Sequence, residues 1–96
     1  MKNLSELKVL VASGGHFSLD APQQKWRGEN EIMQTSTFAG QEMMAIQKSD
    51  DEPHIYELCY LNFKSTGFNG IEDAKKQAPD FAWAVLEKMT GLITRS

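Results

Sequence analysis

The side chains of this 96-residue chain that could act as a nucleophile or general base are His16, His54 and Cys59. A Cys–His pair works only when the base lies within hydrogen-bond reach of the sulfur. His54 and Cys59 are five residues apart in a predicted strand, so we expect their side chains on opposite faces of the sheet. The pattern favours a packed cysteine and an exposed histidine, and it predicts a protein that is not an enzyme.

The acidic run Asp50-Asp51-Glu52, together with His54, is the candidate for holding a metal ion. Oxygen ligands in a loop suit a hard cation, but this run lacks the glycine that a calcium loop needs for its sharp turn. We interpret it as the solvated tip of a hairpin, whose charges discourage pairing between sheet edges. The sequence therefore predicts neither a metal ion nor a cofactor.

Composition and charge indicate a single soluble domain. Hydrophobic residues make up 41% of the chain and charged residues 24%, and the net charge is −3. The ten Lys and Arg residues form no basic stripe, so nucleic acid is not an expected ligand. No apolar run is long enough for a membrane span, and a single cysteine suits a reducing compartment. We expect a cytoplasmic protein.

Strand and turn signals predict a three-stranded antiparallel sheet over residues 26–63, within an α+β fold. Residues 3–13 are predicted as a short N-terminal helix, although Val9-Leu10-Val11 would also suit a strand. The predicted strands and connections of the sheet are, in order, residues 35–38, the turn Ala39-Gly40, residues 42–48, the loop 49–53 and residues 54–63.

The last third of the chain predicts an amphipathic helical segment over residues 71–93, which packs on one face of the sheet. Asn69 and Glu72 have the spacing of a capping box at its start. Pro79 has no N–H to donate and crowds the preceding turn. We therefore predict that one helix ends near Gln77, and that a second helix begins with this proline in its first turn. Trp83 is expected to cover the rim of the sheet.

The last predicted strand has two apolar faces, and a single helix can cover only one. We predict that Tyr56, Leu58 and Tyr60 stay uncovered and that the opposite face, with Ile55 and Cys59, meets the helix. An uncovered aromatic face on so small a domain would suit a protein partner or a homodimer. The predicted core residues are Ile32, Met44, Ile46, Ile55, Cys59, Leu61, Phe63, Ala78, Phe81, Ala82, Val85 and Met89.

Two known families share short motifs with the C-terminal third. Asp73-Ala74-Lys75-Lys76-Gln77-Ala78-Pro79-Asp80-Phe81, leading into Ala84-Val85-Leu86, resembles the Ala-Ala-Pro-Asp/Glu-Leu-Leu tail of short phage-encoded accessory proteins. This resemblance implies an origin in a mobile element rather than an activity.

The predicted order of one helix, three strands and one helix is similar to the double-stranded-RNA-binding domain. Ala74-Lys75, Ala78 and His54 stand at matching motif positions. That family places phosphate-binding lysines just before the alanine, where this chain has Ile71-Glu72-Asp73. The resemblance implies a shared topology without the expected phosphate contacts.

We hypothesise a non-enzymatic protein-binding module, such as a phage or mobile-element inhibitor or regulator that occludes a host protein surface, for example on a defence nuclease complex. The first alternative is a nucleic-acid-binding regulator with a double-stranded-RNA-binding-like fold. The second is a small ligand-binding protein or enzyme that uses His54 and the nearby acids. The candidate binding residues are Tyr56, Leu58, Tyr60, Trp26, Arg27, Asp50, Asp51 and Glu52.

Overall fold

The computed structural model describes residues 7–10, 21–28 and 32–94. These residues form an α+β fold in which a four-stranded antiparallel sheet is followed by one helix, and the strands pair in sequence order. The α+β class, the antiparallel sheet and the C-terminal helix are confirmed, whereas the prediction of three strands is wrong. The elements are β1 (Met33–Phe38), β2 (Gln41–Ser49), β3 (Glu52–Tyr60), β4 (Phe63–Asn69) and α1 (Ile71–Gly91).

The strand β4 is absent from the sequence prediction because its turn carries an unusual residue pair. Leu61 and Asn62 both have positive φ, 50° and 69°, which is the turn geometry that matches the twist of a hairpin. The predicted strand over residues 54–63 therefore ends at Tyr60, and the chain returns as β4. Gly67 (φ 92°) is the extra residue of a bulge within β4.

The other two hairpin turns lie where the sequence predicts them. Ala39 and Gly40 join β1 to β2 with φ values of 53° and 80°. Asp50 and Asp51 join β2 to β3 at the predicted acidic tip. Small or short polar residues at these positions suit tight turns. The residue types alone were therefore sufficient to predict these two turns.

The sheet buries the face opposite to the predicted one. Tyr56, Leu58 and Tyr60 are 5%, 0% and 1% exposed, in the same buried cluster as the inner residues of α1. The prediction that they remain uncovered is wrong. Large aromatic side chains bury a large apolar area, and the small helix residues leave room for them. The helix residues in this cluster are Ala74, Ala78, Ala82 and Val85.

The predicted core is confirmed in part. Ile32 and Met89 are exposed, at 56% and 38%, so their prediction is wrong. Ile32 precedes β1, and Met89 lies near the end of α1, where every residue from 87 to 94 is exposed. The predicted core residues that are buried are Ala78, Ala82 and Val85. Those that are partly exposed are Met44, Ile46, Ile55, Cys59, Leu61, Phe63 and Phe81.

The start of α1 differs from the predicted capping box. Gly70 is the N-cap residue, and no side chain caps the helix through that position. Asp73 supplies the acidic contact instead: its Oδ2 accepts the Asn69 N–H at 3.1 Å, and its Oδ1 accepts the Gln77 amide at 3.0 Å. The prediction that Asn69 and Glu72 form the box is wrong, because the helix begins one residue later than that spacing requires.

The helix α1 continues through Pro79, so the prediction of two helices is wrong. Ala78 precedes the proline and Ala82 follows it by three residues, and both are buried against the sheet. Tertiary packing of the apolar face supplies most of the stability of a helix in a folded protein. This packing outweighs the local preference of proline to begin a helix.

Residues 24–27 lie beside β1, which is an edge strand of the sheet. Arg27 forms an isolated bridge with Thr35 of β1 through two backbone hydrogen bonds of 2.8 and 2.9 Å. Of the helix predicted over residues 3–13, residues 7–10 are neither helix nor strand, and the rest lies outside the described residues.

Candidate functional site

The acidic residues predicted to contact a partner form the tip of the β2–β3 hairpin. Asp50, Asp51 and Glu52 are all exposed. Glu52 pairs with Lys48 through a 3.2 Å contact between Oε2 and Nζ, so part of the acidic charge is balanced within the hairpin.

Trp26 and Arg27 lie on the segment that runs beside β1. The Trp26 ring packs edge-on against Phe38, with ring centroids 6.1 Å apart and an interplanar angle of 61°. Arg27 is exposed beside β1. Phe38, which Trp26 contacts, pairs with the first residue of β2, whereas the acidic tip follows the last residue of β2. The structure therefore does not bring Trp26 and the tip acids together.

The three candidate residues of β3 belong to the core rather than to a surface. The Tyr60 hydroxyl donates a hydrogen bond of 2.5 Å to the carbonyl oxygen of Phe38. Burial raises the pKa of Tyr60, as expected for a phenol withdrawn from water. Tyr56, Leu58 and Tyr60 therefore position the helix, and in this fold no open aromatic face is formed by them.

The chemically reactive groups stay apart. Burial, and after it the charge of Glu57, raise the pKa of the Cys59 thiol, while Lys64 lowers it. The net effect disfavours the reactive thiolate. His54 is exposed at the start of β3, and His16 lies outside the described residues. Within residues 7–10, 21–28 and 32–94, no group of three or more His, Cys, Asp or Glu side chains is placed to hold a metal ion.

A groove of about 410 Å³ lies between α1 and the β1–β2 turn. On α1, Pro79, Trp83 and Leu86 follow one another at helical spacing of four and three residues, so they share one side of the helix. On the opposite wall, Phe38 and Ala39 belong to the end of the β1–β2 hairpin. The groove is therefore mainly apolar and open to solvent on the side of Trp83.

The exposed residue Trp83 is the part of this site that the sequence prediction placed wrongly. Its side chain is 72% exposed rather than packed over the rim of the sheet. Trp83 directly follows the buried residue Ala82, and one helical step rotates it away from the stripe that faces the sheet. The angular position of Trp83 around the helix, relative to the stripe of alanines, could have identified it as an exposed residue.

Acidic side chains flank Trp83 along the outer surface of α1. Asp80 lies three residues before it and Glu87 four residues after it, and both are exposed. In the part of the chain that the structure describes, neither carboxylate forms an ion pair. The nearest exposed lysines along the helix are Lys76 and Lys88, seven and five positions from Trp83. The immediate surroundings of the indole ring are therefore negative.

Comparison with known proteins gives no relative for this site. No family model, curated protein or solved structure matches the chain. In the described part of the chain, no helix has both the length and the apolar character needed to cross a membrane.

Proposed function

We propose that this protein is a non-enzymatic module that binds another protein, and that the groove beside Trp83 is its contact surface. The observation that carries the proposal is the 72% exposure of a tryptophan on a helix held against a sheet. Tryptophan is enriched among the residues that dominate binding energy at protein interfaces. Leaving its large apolar surface in water is unfavourable, and a partner would remove that cost.

The partner that we propose is a nucleic-acid-handling host protein whose surface this module occludes. Such proteins carry basic grooves, and the acidic surroundings of Trp83 complement a basic surface. A phage or mobile-element inhibitor acting on a defence nuclease complex is the biological setting that fits this chemistry. Direct nucleic-acid binding is less well supported, because Lys48, Lys64 and Lys75 each lie beside an acidic side chain and would lose that partner on binding phosphate.

Affinity capture from host lysate, followed by binding of the purified partner, tests the proposal. Wild type should retain a stoichiometric protein, and Trp83→Ala should weaken its binding about tenfold or more, as expected for a residue that dominates an interface. Lys88→Ala is the matched control, because Lys88 is also exposed on α1 but does not line the groove.

Equal binding by wild type and Trp83→Ala would contradict the proposed surface. The absence of any stoichiometric protein, or capture of nucleic acid in its place, would contradict the proposed function. Circular dichroism of each variant establishes that the fold is retained.

A further inference from the structure

We infer that the groove accepts an arginine side chain of the partner, which stacks on Trp83 between Asp80 and Glu87. This inference rests on the proposed function and specifies the chemistry of the residue that enters the site.

The spacing of the three side chains places one negative charge before and one after the indole ring along the helix axis; Asp80 lines the groove, and Glu87 lies outside it. Three and four residues of helix correspond to about 4.5 and 6 Å along the axis, so Asp80 and Glu87 lie roughly one turn before and after Trp83. A cation over the indole face is attracted by the electrons of the ring within about 6 Å of its centre. The same cation would be within reach of both carboxylates.

Arginine suits this site better than lysine because its guanidinium group is planar. It stacks on an aromatic ring and donates two parallel hydrogen bonds to a carboxylate, whereas an ammonium group is compact and strongly hydrated. The methylene stem of an arginine would lie along Pro79 and Leu86, which form the apolar wall of the groove. Acidic side chains and phosphates would be repelled by Asp80 and Glu87.

Short peptides test the inference directly on Trp83. The chain has two tryptophans, so Trp26→Phe leaves Trp83 as the sole indole signal in an NMR spectrum. The probes are acetyl-Leu-Arg-Leu-amide, the same peptide with the neutral isostere citrulline, and the same peptide with glutamate. We expect the arginine peptide to shift the Trp83 indole signal and to bind about fivefold or more tightly than the citrulline peptide.

Charge-neutral variants show whether the preference comes from the two flanking acids. Asp80→Asn with Glu87→Gln should remove most of the arginine preference. Glu42→Gln with Glu72→Gln, which removes the same charge from two exposed residues that do not line the groove, should leave it unchanged. An equal loss in both double variants would show a general charge effect and would overturn the inference.

Three other results would also overturn it: equal binding of arginine and citrulline peptides, no shift of Trp83 with the arginine peptide, or a shift caused by raising the protein concentration alone. The last result, if abolished by Arg27→Gln, would identify a second copy of this chain as the occupant. These results can be distinguished from a failure of the proposed function. If the arginine preference is lost but capture still depends on Trp83, only the inference is contradicted. If capture does not depend on Trp83, the proposed surface itself is contradicted.

Discussion

Replacing Pro79 with alanine should stabilise the fold, because the proline lies inside the continuous helix α1. A proline in a helix interior leaves the carbonyl four residues earlier without its N–H donor, and its ring crowds that carbonyl. Here the carbonyl belongs to Lys75. The interpretation from sequence, with Pro79 at the start of a second helix, required a neutral or mildly destabilising substitution. The structure reverses that expectation.

The expected gain follows from two opposing contributions. A proline in a helix interior is about 3 kcal/mol less favourable than alanine in model helices. The alanine variant also frees the unfolded chain, which lowers stability by roughly 0.4–1 kcal/mol. Because Pro79 is exposed, the change removes little buried surface. We expect a net gain of about 2 kcal/mol, or about 8–16 °C in Tm for a chain of this size.

Thermal and urea unfolding, followed by circular dichroism, should compare wild type with Pro79→Ala and Pro79→Gly. The glycine variant also restores the N–H, but glycine is about 1 kcal/mol less favourable than alanine within a helix, so its gain should be smaller. A Tm for Pro79→Ala equal to or below that of wild type would refute the reasoning, because α1 would then not run unbroken through residue 79.

Three further changes test the packing, the backbone and the helix start. Tyr60→Phe removes the hydrogen bond to the Phe38 carbonyl and should lower the free energy of unfolding in urea by about 1–3 kcal/mol; an unchanged midpoint would contradict this. Gly28→Ala places a Cβ 2.9 Å from the Met33 oxygen at φ 133°. It should lower the free energy of unfolding, measured by thermal unfolding, by on the order of 1–3 kcal/mol. Gly91→Ala, with no atom within 4 Å of the added Cβ, is the control and should not destabilise the fold. Hydrogen bonds from Gln77 and from the Asn69 backbone lower the pKa of Asp73. The ionised Asp73 therefore stabilises the fold above its ordinary pKa of 3.8. This stabilisation is lost as pH falls through the lower pKa of the folded state. Asp73→Asn should therefore flatten the acid side of a Tm–pH profile, and an unchanged slope would count against the role of this carboxylate.

The secondary structure was predictable where local chemistry alone decides it. Ala39 and Gly40 form the predicted turn, and the periodicity of α1 survives in its buried alanines. The fourth strand was missed because Leu61 and Asn62 hold positive φ without a glycine. The prediction for Pro79 was wrong because packing of the surrounding residues outweighs the local preference of proline for the start of a helix.

The candidate binding surface was less predictable because it depends on which face of each element is buried. Strand periodicity separates Tyr56 and Leu58 from Ile55 and Cys59, but it does not say which pair meets the helix. Volume was the missing criterion: a helix stripe of small alanines fits large side chains on the sheet. With that face assigned to the core, the candidate surface moves to the outer side of α1, where Trp83 is exposed.

The three hairpin turns also make every strand pairing of the sheet local in sequence. Each strand pairs with its neighbour in the chain through a turn of two residues, so only short loops have to close before sheet contacts form. Folds dominated by local contacts reach their native state faster than sheets with long crossovers, and an isolated hairpin forms in about 1–10 μs. The sheet can therefore grow one hairpin at a time. Only Gly70 separates β4 from α1. Formation of the β3–β4 hairpin therefore places the start of the helix beside the sheet, where the helix packs.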